Sequence, residues 1–337
     1  MGCIASTTAK ELPLQTQQNT IRILCLGLGG CGKTTFVKQL KIINRVPWGE
    51  AELQAFTKAI KSNYIKGLQD AYEVLGDLGL EIKAENKPLF EELESLRPTT
   101  DLTPEVVDTL KKIYEDPSIQ TIINHHIEQI TVTHIAYFFH HIDRILSPTY
   151  LPTDEDILRA RVRTSGAHSS TIFIDKSYFE FHDVGGQRPD RAKWEAVLKE
   201  NVFAAVIYFV AADEYGVESE DKEGLKLEIS RGLFAQLRES IPQDQPIVLF
   251  MNRMDLFEKR IADQKGFGTF QKIFPDFKGE QKKDKTSEYV KEWFLSDVKG
   301  TNVKHHYTCA MDRESLVIVW RIVKESFLNG TFKELGF

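Results

Sequence analysis

The period of apolar and polar positions changes twice along the chain. Residues 21–27 (IRILCLG) form a short run of β-branched and aliphatic side chains, and KTTFVKQLKII from Lys33 onward spaces its apolar positions for one face of a helix. A strand therefore feeds a helix through glycines. From residue 48 to residue 157 helical periodicity dominates, punctuated by Pro88, Pro98, Pro104, Pro117, Pro148 and Pro152, which predicts an all-helical block. Short extended runs then return at 170–175, 178–184, 203–210, 246–252 and 302–309, mostly separated by helical segments. That alternation predicts an α/β fold, a mainly parallel six-stranded sheet with helices on both faces. The strand and helix at 21–45 cannot make a sheet alone, so they are expected to complete the later strands. The expected organisation is a tail over 1–20, a discontinuous α/β domain over 21–47 and 158–337, and an inserted all-helical domain over 48–157.

Composition narrows the class. The chain has 337 residues, 42% hydrophobic and 27% charged, the balance of a folded protein with a sizeable core. Lys+Arg 43 against Asp+Glu 49 leaves a net charge of −6, so no global field attracts a phosphate backbone and nucleic acid is excluded as a main partner. The cysteines Cys3, Cys25, Cys31 and Cys309 form no CxxC pair, which suits a reducing compartment. The longest apolar run, Val202–Ala212, falls short of the ~18–20 residues that cross a bilayer, and no signal peptide is expected. The histidines offer no zinc spacing.

Gly27-Leu28-Gly29-Gly30-Cys31-Gly32-Lys33-Thr34, followed by Thr35, satisfies GxxxxGK[ST] between a strand and a helix. Small residues there let backbone N–H groups turn toward phosphate oxygens, Lys33 adds a cation, and the Thr34 hydroxyl can coordinate Mg²⁺. Gly27, Gly29 and Gly32 also spell GxGxxG, the dinucleotide fingerprint. That reading wants an acidic residue at a second strand's end, whereas Glu50 and Glu52 lie in a helical stretch. A nucleoside-triphosphate site is the better fit.

Further pieces follow in order. Asp183-Val184-Gly185-Gly186-Gln187 ends a strand, so Asp183 can hold a water of the Mg²⁺ shell, the Gly186 amide can approach a γ-phosphate, and Gln187 can orient an attacking water. Asn252-Arg253-Met254-Asp255 ends another strand. A carboxylate at Asp255 can accept from N1–H and the exocyclic amine of guanine, a pairing adenine lacks, which disfavours an ATP-dependent enzyme. Arg161-Val162-Arg163-Thr164 lies where the helical block returns to the sheet; an arginine there can meet charge on a transferred phosphoryl group, and Thr164 can offer a second hydroxyl to Mg²⁺.

Taken together, GxxxxGKT, LRARVRTSG, DVGGQR, NRMD and TCA in order, with a helical insertion between the first two, resemble a heterotrimeric G protein α subunit over nearly the whole chain. The resemblance implies a Ras-like GTPase domain with an inserted all-helical domain, binding GTP or GDP with Mg²⁺ and hydrolysing GTP. It implies Arg161 as an internal arginine finger, Gln187 as the water-orienting residue, and Asn252, Arg253, Asp255, Cys309 and Ala310 on the guanine side. It places Leu158 and Arg159 on the ribose side of a cleft, and Arg188, Lys193 and Trp194 on a switch surface for partners. Those partners would be a G protein βγ dimer, effectors and GTPase-activating regulators, with a seven-helix receptor at the C-terminal helix.

Met1-Gly2-Cys3-Ile4-Ala5-Ser6 fits MGxxx[ST], so Gly2 is a myristoylation candidate and Cys3 a palmitoylation candidate. Two chains anchor where one barely does, and the expected location is the cytoplasmic face of the plasma membrane. Departures from the family pattern are Gly30-Cys31 for Glu-Ser, Arg253 for lysine, Met311 for threonine and His140-His141 for Asn-Asp. The stretch before the first strand is shorter than the family's amphipathic helix by about three turns. These departures keep one alternative open, a nucleotide-dependent scaffold of the same fold that binds GTP with little or no hydrolysis.

Overall fold

A computed structural model describes residues 20–242, 245–298 and 303–334. Its contacts divide the chain into two units, one of helices over Pro47–Val162 and one built from 20–46 and 163–334. Gly2, Cys3 and the rest of the tail lie outside the described residues, and no described helix is long and apolar enough to cross a membrane.

The second unit is a sheet of six strands: β1 (Thr20–Gly27), β2 (Ala167–Ile174), β3 (Ser177–Val184), β4 (Ala205–Ala211), β5 (Ile247–Asn252) and β6 (Lys304–Tyr307). Their order is β2-β3-β1-β4-β5-β6, parallel except for β2 with β3. β2 begins at Ala167, ahead of the predicted apolar run, because pairing with β3 satisfies the backbone of the polar residues His168, Ser169 and Ser170. Asp175 and Lys176, both at positive φ, close that hairpin.

Successive side chains of β1 alternate between the two layers covering the sheet. Leu24 and Leu26 pack with Tyr208, Phe234, Leu249 and Phe257, whereas Ile23 and Cys25 pack with Phe36, Phe181, Phe209 and Trp320. Phe36 is the hub of the second layer, its ring 5.4 Å from Phe209, 5.6 Å from Phe250, 5.9 Å from Phe181 and 6.0 Å from Trp320. It sits on the helix Lys33–Ile43, so this packing fixes the first turn that carries Thr34.

In the helical unit, the helix Glu50–Glu73 buries Ile60, Tyr64, Ile65 and Leu68 against apolar faces of the helices Lys87–Ser95, Pro104–Tyr114, Pro117–His125 and Ile135–His140. The unit extends to Val162, past the 157/158 division drawn from the sequence, because Ala160 and Val162 pack into this helical core. Leu158, Arg159 and Arg161 thus lie in the helical unit. His140, the last residue of the helix Ile135–His140, meets His141 edge to face at 4.9 Å.

Candidate functional site

β1 ends at Gly27, and the chain turns through Gly30 and Gly32, both at positive φ, into the helix Lys33–Ile43. Gly32 is required twice over. Its φ is 103°, and a Cβ there would stand 2.0 Å from Asn252 Nδ2. No side chain caps the helix N-terminus, leaving the amides of the turn, Thr34 and Thr35 among them, in the arrangement that favours phosphate. Lys33 is buried and folds back over the loop, its Nζ donating to Gly27 O at 2.8 Å and Leu28 O at 3.0 Å. The Cys31 thiol lies 3.8 Å from the same ammonium.

Three oxygen groups converge beside the loop. Thr34 Oγ1 lies 2.9 Å from Thr164 Oγ1 and donates to Asp183 Oδ2 at 2.5 Å, while Thr164 Oγ1 reaches the same carboxylate oxygen at 3.5 Å. Burial pushes the Asp183 carboxyl up, against the lowering influence of Lys33 and the Thr34 hydrogen bond. Its other oxygen, Oδ1, is buried and has no hydrogen-bond partner among the described residues. Two hydroxyls and a carboxylate are the hard donors that Mg²⁺ takes from protein beside waters and phosphate, so the residues fit that ion.

The segment after β3 lies against the phosphate loop. A Cβ on Gly186 would stand 2.2 Å from Gly27 O and 2.5 Å from Leu28 C, contacts with backbone that no side-chain movement relieves. Gly186→Ala is therefore expected to lower stability by about 1–3 kcal/mol, read by denaturant unfolding; unchanged stability would mean that Gly186 does not pack here. Gln187 is buried, its carboxamide over Gly29 and its Nε2 donating to Glu220 at 3.3 Å. Arg191 donates from Nε to Gly186 O at 3.1 Å and pairs with Glu223 at 2.8 Å, and Arg188 pairs with Glu223 at 3.0 Å. Arg188 and Lys193 are exposed, but Trp194 corrects the surface assignment. It is buried edge-on to Tyr208, and its indole N–H donates to Gly185 O at 3.0 Å, because so large a ring next to β4 gains more from the core than from water.

At the end of β5, Asn252 ties three segments together. Its Nδ2 donates to Cys31 O at 2.8 Å, and its Oδ1 accepts from Thr308 Oγ1 at 3.0 Å and from Ala310 N at 3.1 Å. Ala310, which the resemblance puts on the guanine side, is thus tied by its amide to the end of β5. Arg253 follows at φ 63°, its guanidinium 2.8 Å from Asp213 and 3.1 Å from Glu214. Burial pushes the Asp213 carboxyl up, and Arg253 draws it back down. Asp255 is exposed at the start of the helix Met254–Ala262; burial, reinforced by this carboxylate, pushes the Cys309 thiol up to about 11.

In the helical unit, Leu158 is buried, and Arg159 is engaged by Glu155 and by the Tyr137 ring at 4.5 Å. Arg161 is half-buried, and among the described residues its guanidinium makes no hydrogen bond or ion pair. Its peptide is held by Asn63. Sequence reasoning missed Asn63, Asp213, Glu214, Glu220 and Glu223. Of these only Asp213-Glu214, acidic residues directly after an apolar strand, carried a local signal.

A family model described as G-protein alpha subunit matches residues 4–327. The chain is 32% identical over 339 residues to a guanine nucleotide-binding protein alpha-2 subunit of Dictyostelium discoideum, covering 97% of this chain and 93% of that one. It is 28% identical over 358 residues to a guanine nucleotide-binding protein subunit alpha of Coprinellus congregatus, covering 100% of this chain and 99% of that one. The chain belongs to the G-protein alpha subunit family, nucleotide-binding signalling proteins that bind guanine nucleotides, generally with Mg²⁺, and are generally GTPases.

Proposed function

We propose that the protein is a switch that binds GTP, hydrolyses it to GDP and phosphate, and carries signals from membrane receptors to effectors. The observation that carries this reading is the convergence of Thr34, Thr164 and Asp183 beside a glycine loop with a buried lysine. Loop amides and Lys33 hold the phosphates, with Thr35 and Gly30 on the same turn. Thr34 and Thr164 would hold Mg²⁺, with Asp183 behind a water of its shell, and the ion would offset phosphate charge. Gln187 orients the water that attacks the γ-phosphorus as the bond to the bridging oxygen breaks, and Arg161 offsets the charge that develops.

On the base side Asp255 accepts two hydrogen bonds from guanine, with Arg253, Cys309 and Ala310 around it and Leu158 and Arg159 toward the ribose. Asp255→Ala is expected to lower the preference for GTP over ATP at least about 10²-fold in competition binding, because adenine offers that carboxylate no matching donors. A preference left intact would remove Asp255 from base selection. The partner reading comprises a βγ dimer, effectors and regulators at Arg188 and Lys193, and a receptor at the C-terminal helix. Lipid on Gly2 and Cys3 would hold the protein at the cytoplasmic face of the plasma membrane. Mass spectrometry of the protein from its own cells tests that anchor.

One observation favours the alternative, a scaffold that binds GTP with little hydrolysis. The Gln187 carboxamide, which would orient water, donates instead to Glu220. Single-turnover hydrolysis separates the two readings.

A further inference from the structure

We infer that Asn63 is a positioning residue for Arg161, an inference that rests on the arginine role proposed above. The helix Asp154–Arg159 ends as the Ala160 amide donates to Asp156 O at 2.9 Å, and the next peptide has no helical partner. Asn63 supplies both partners. Its Oδ1 accepts from the Arg161 amide at 2.8 Å, and its Nδ2 donates to the Arg161 carbonyl at 3.0 Å. A carboxamide presents a donor and an acceptor side by side, as a peptide does, so it pairs with the arginine backbone as a neighbouring strand would.

The clasp stands on a rigid base. Asn63 is buried on the helix Glu50–Glu73, next to Tyr64, whose hydroxyl donates to Phe138 O at 2.7 Å. Ala160 and Val162, on either side of Arg161, pack into the same helical core. With no hydrogen bond or ion pair at its guanidinium among the described residues, Arg161 is held through its peptide and not through its side chain. Its reach is thus set by the point where the side chain leaves the backbone, and Asn63 fixes that point. A side chain that must meet a developing charge loses up to about 10²-fold in rate when its anchor shifts by about 1 Å.

The test is a double-mutant cycle on the full chain, read as single-turnover hydrolysis of bound GTP with Mg²⁺, normalised to nucleotide bound. Asn63→Ala is expected to slow hydrolysis about 10- to 100-fold in the wild-type background, and by less than about twofold in the Arg161→Ala background. Asn63→Asp keeps the acceptor for the Arg161 amide and loses the donor, and is expected to fall between; it serves alone if the alanine variant yields no folded protein. Slowing of equal size in both backgrounds, or none in the wild type, would overturn the inference by making Asn63 a packing residue only. If Arg161→Ala alone leaves the rate unchanged, the arginine role itself fails and the inference falls with it.

Discussion

Replacing Arg161 by alanine is expected to slow single-turnover GTP hydrolysis about 10³–10⁵-fold, roughly 4–7 kcal/mol of barrier, while leaving GTP affinity and thermal stability close to wild type. The size of the loss is the general one for arginine fingers in phosphoryl transfer, and its selectivity comes from the structure of this chain. The guanidinium makes no hydrogen bond or ion pair among the described residues, so its removal orphans nothing, and the peptide clasp on Asn63 survives because it is made by backbone. A variant that lost stability along with activity would show that the side chain serves the fold. One with an unchanged rate would assign the arginine's task elsewhere.

The second large effect falls on stability. Asp156 is fully buried and accepts five hydrogen bonds: from Arg144 at 2.7 and 2.8 Å, Tyr137 at 2.8 Å, Tyr150 at 3.1 Å and the Thr153 amide at 2.9 Å. Thr153 caps the same helix in return. Asp156→Ala would leave two half-buried hydroxyls and the Thr153 amide without their acceptor, while the exposed Arg144 turns to water, and is expected to destabilise the helical unit by about 2–4 kcal/mol, measured by hydrogen exchange of its amides. Exchange rates like wild type would contradict the assignment of Asp156 as the unit's polar anchor. The same residue sets a pH dependence. Burial alone would raise the Asp156 carboxyl, but the bonds from Arg144, Thr153 and Tyr137 hold it well below the usual carboxylate range. Its contribution is therefore present above about pH 4, where the unfolded carboxyl ionises, and is lost as pH falls toward the lower folded value. Asp156→Asn should flatten that acid limb of the stability curve.

The strands were legible because burial on both faces writes continuous apolar runs, as in FAAVIYFV for β4, which is buried along its whole length. β2 was legible only in its apolar half, since pairing with β3 extends it through residues with no strand signal of their own. The candidate site was legible at Gly27–Thr34 and Asp183, where a tight glycine turn and converging oxygen donors restrict the allowed residue types. Residues that act through another residue leave no such trace. Asn63 and Arg161 are 98 positions apart, and nothing near Asn63 in the sequence distinguishes it from other polar residues on a long amphipathic helix. Trp194 was misplaced for a related reason: its neighbours Arg188 and Lys193 are charged and exposed, and only the packing against Tyr208 reveals that the indole turns inward.

Guanine-specific phosphoryl transfer is the property on which every assigned role depends. The most direct measurement is single-turnover hydrolysis of GTP and of ATP by the purified full chain, with and without Mg²⁺, beside a GDP-release assay so that exchange is not mistaken for chemistry. The expected result is Mg²⁺-dependent phosphate release from bound GTP, with ATP neither displacing GTP at equal concentration nor turning over. Tight GTP binding with no phosphate release would contradict hydrolysis and favour the scaffold, and displacement of GTP by equal ATP would contradict the guanine site itself.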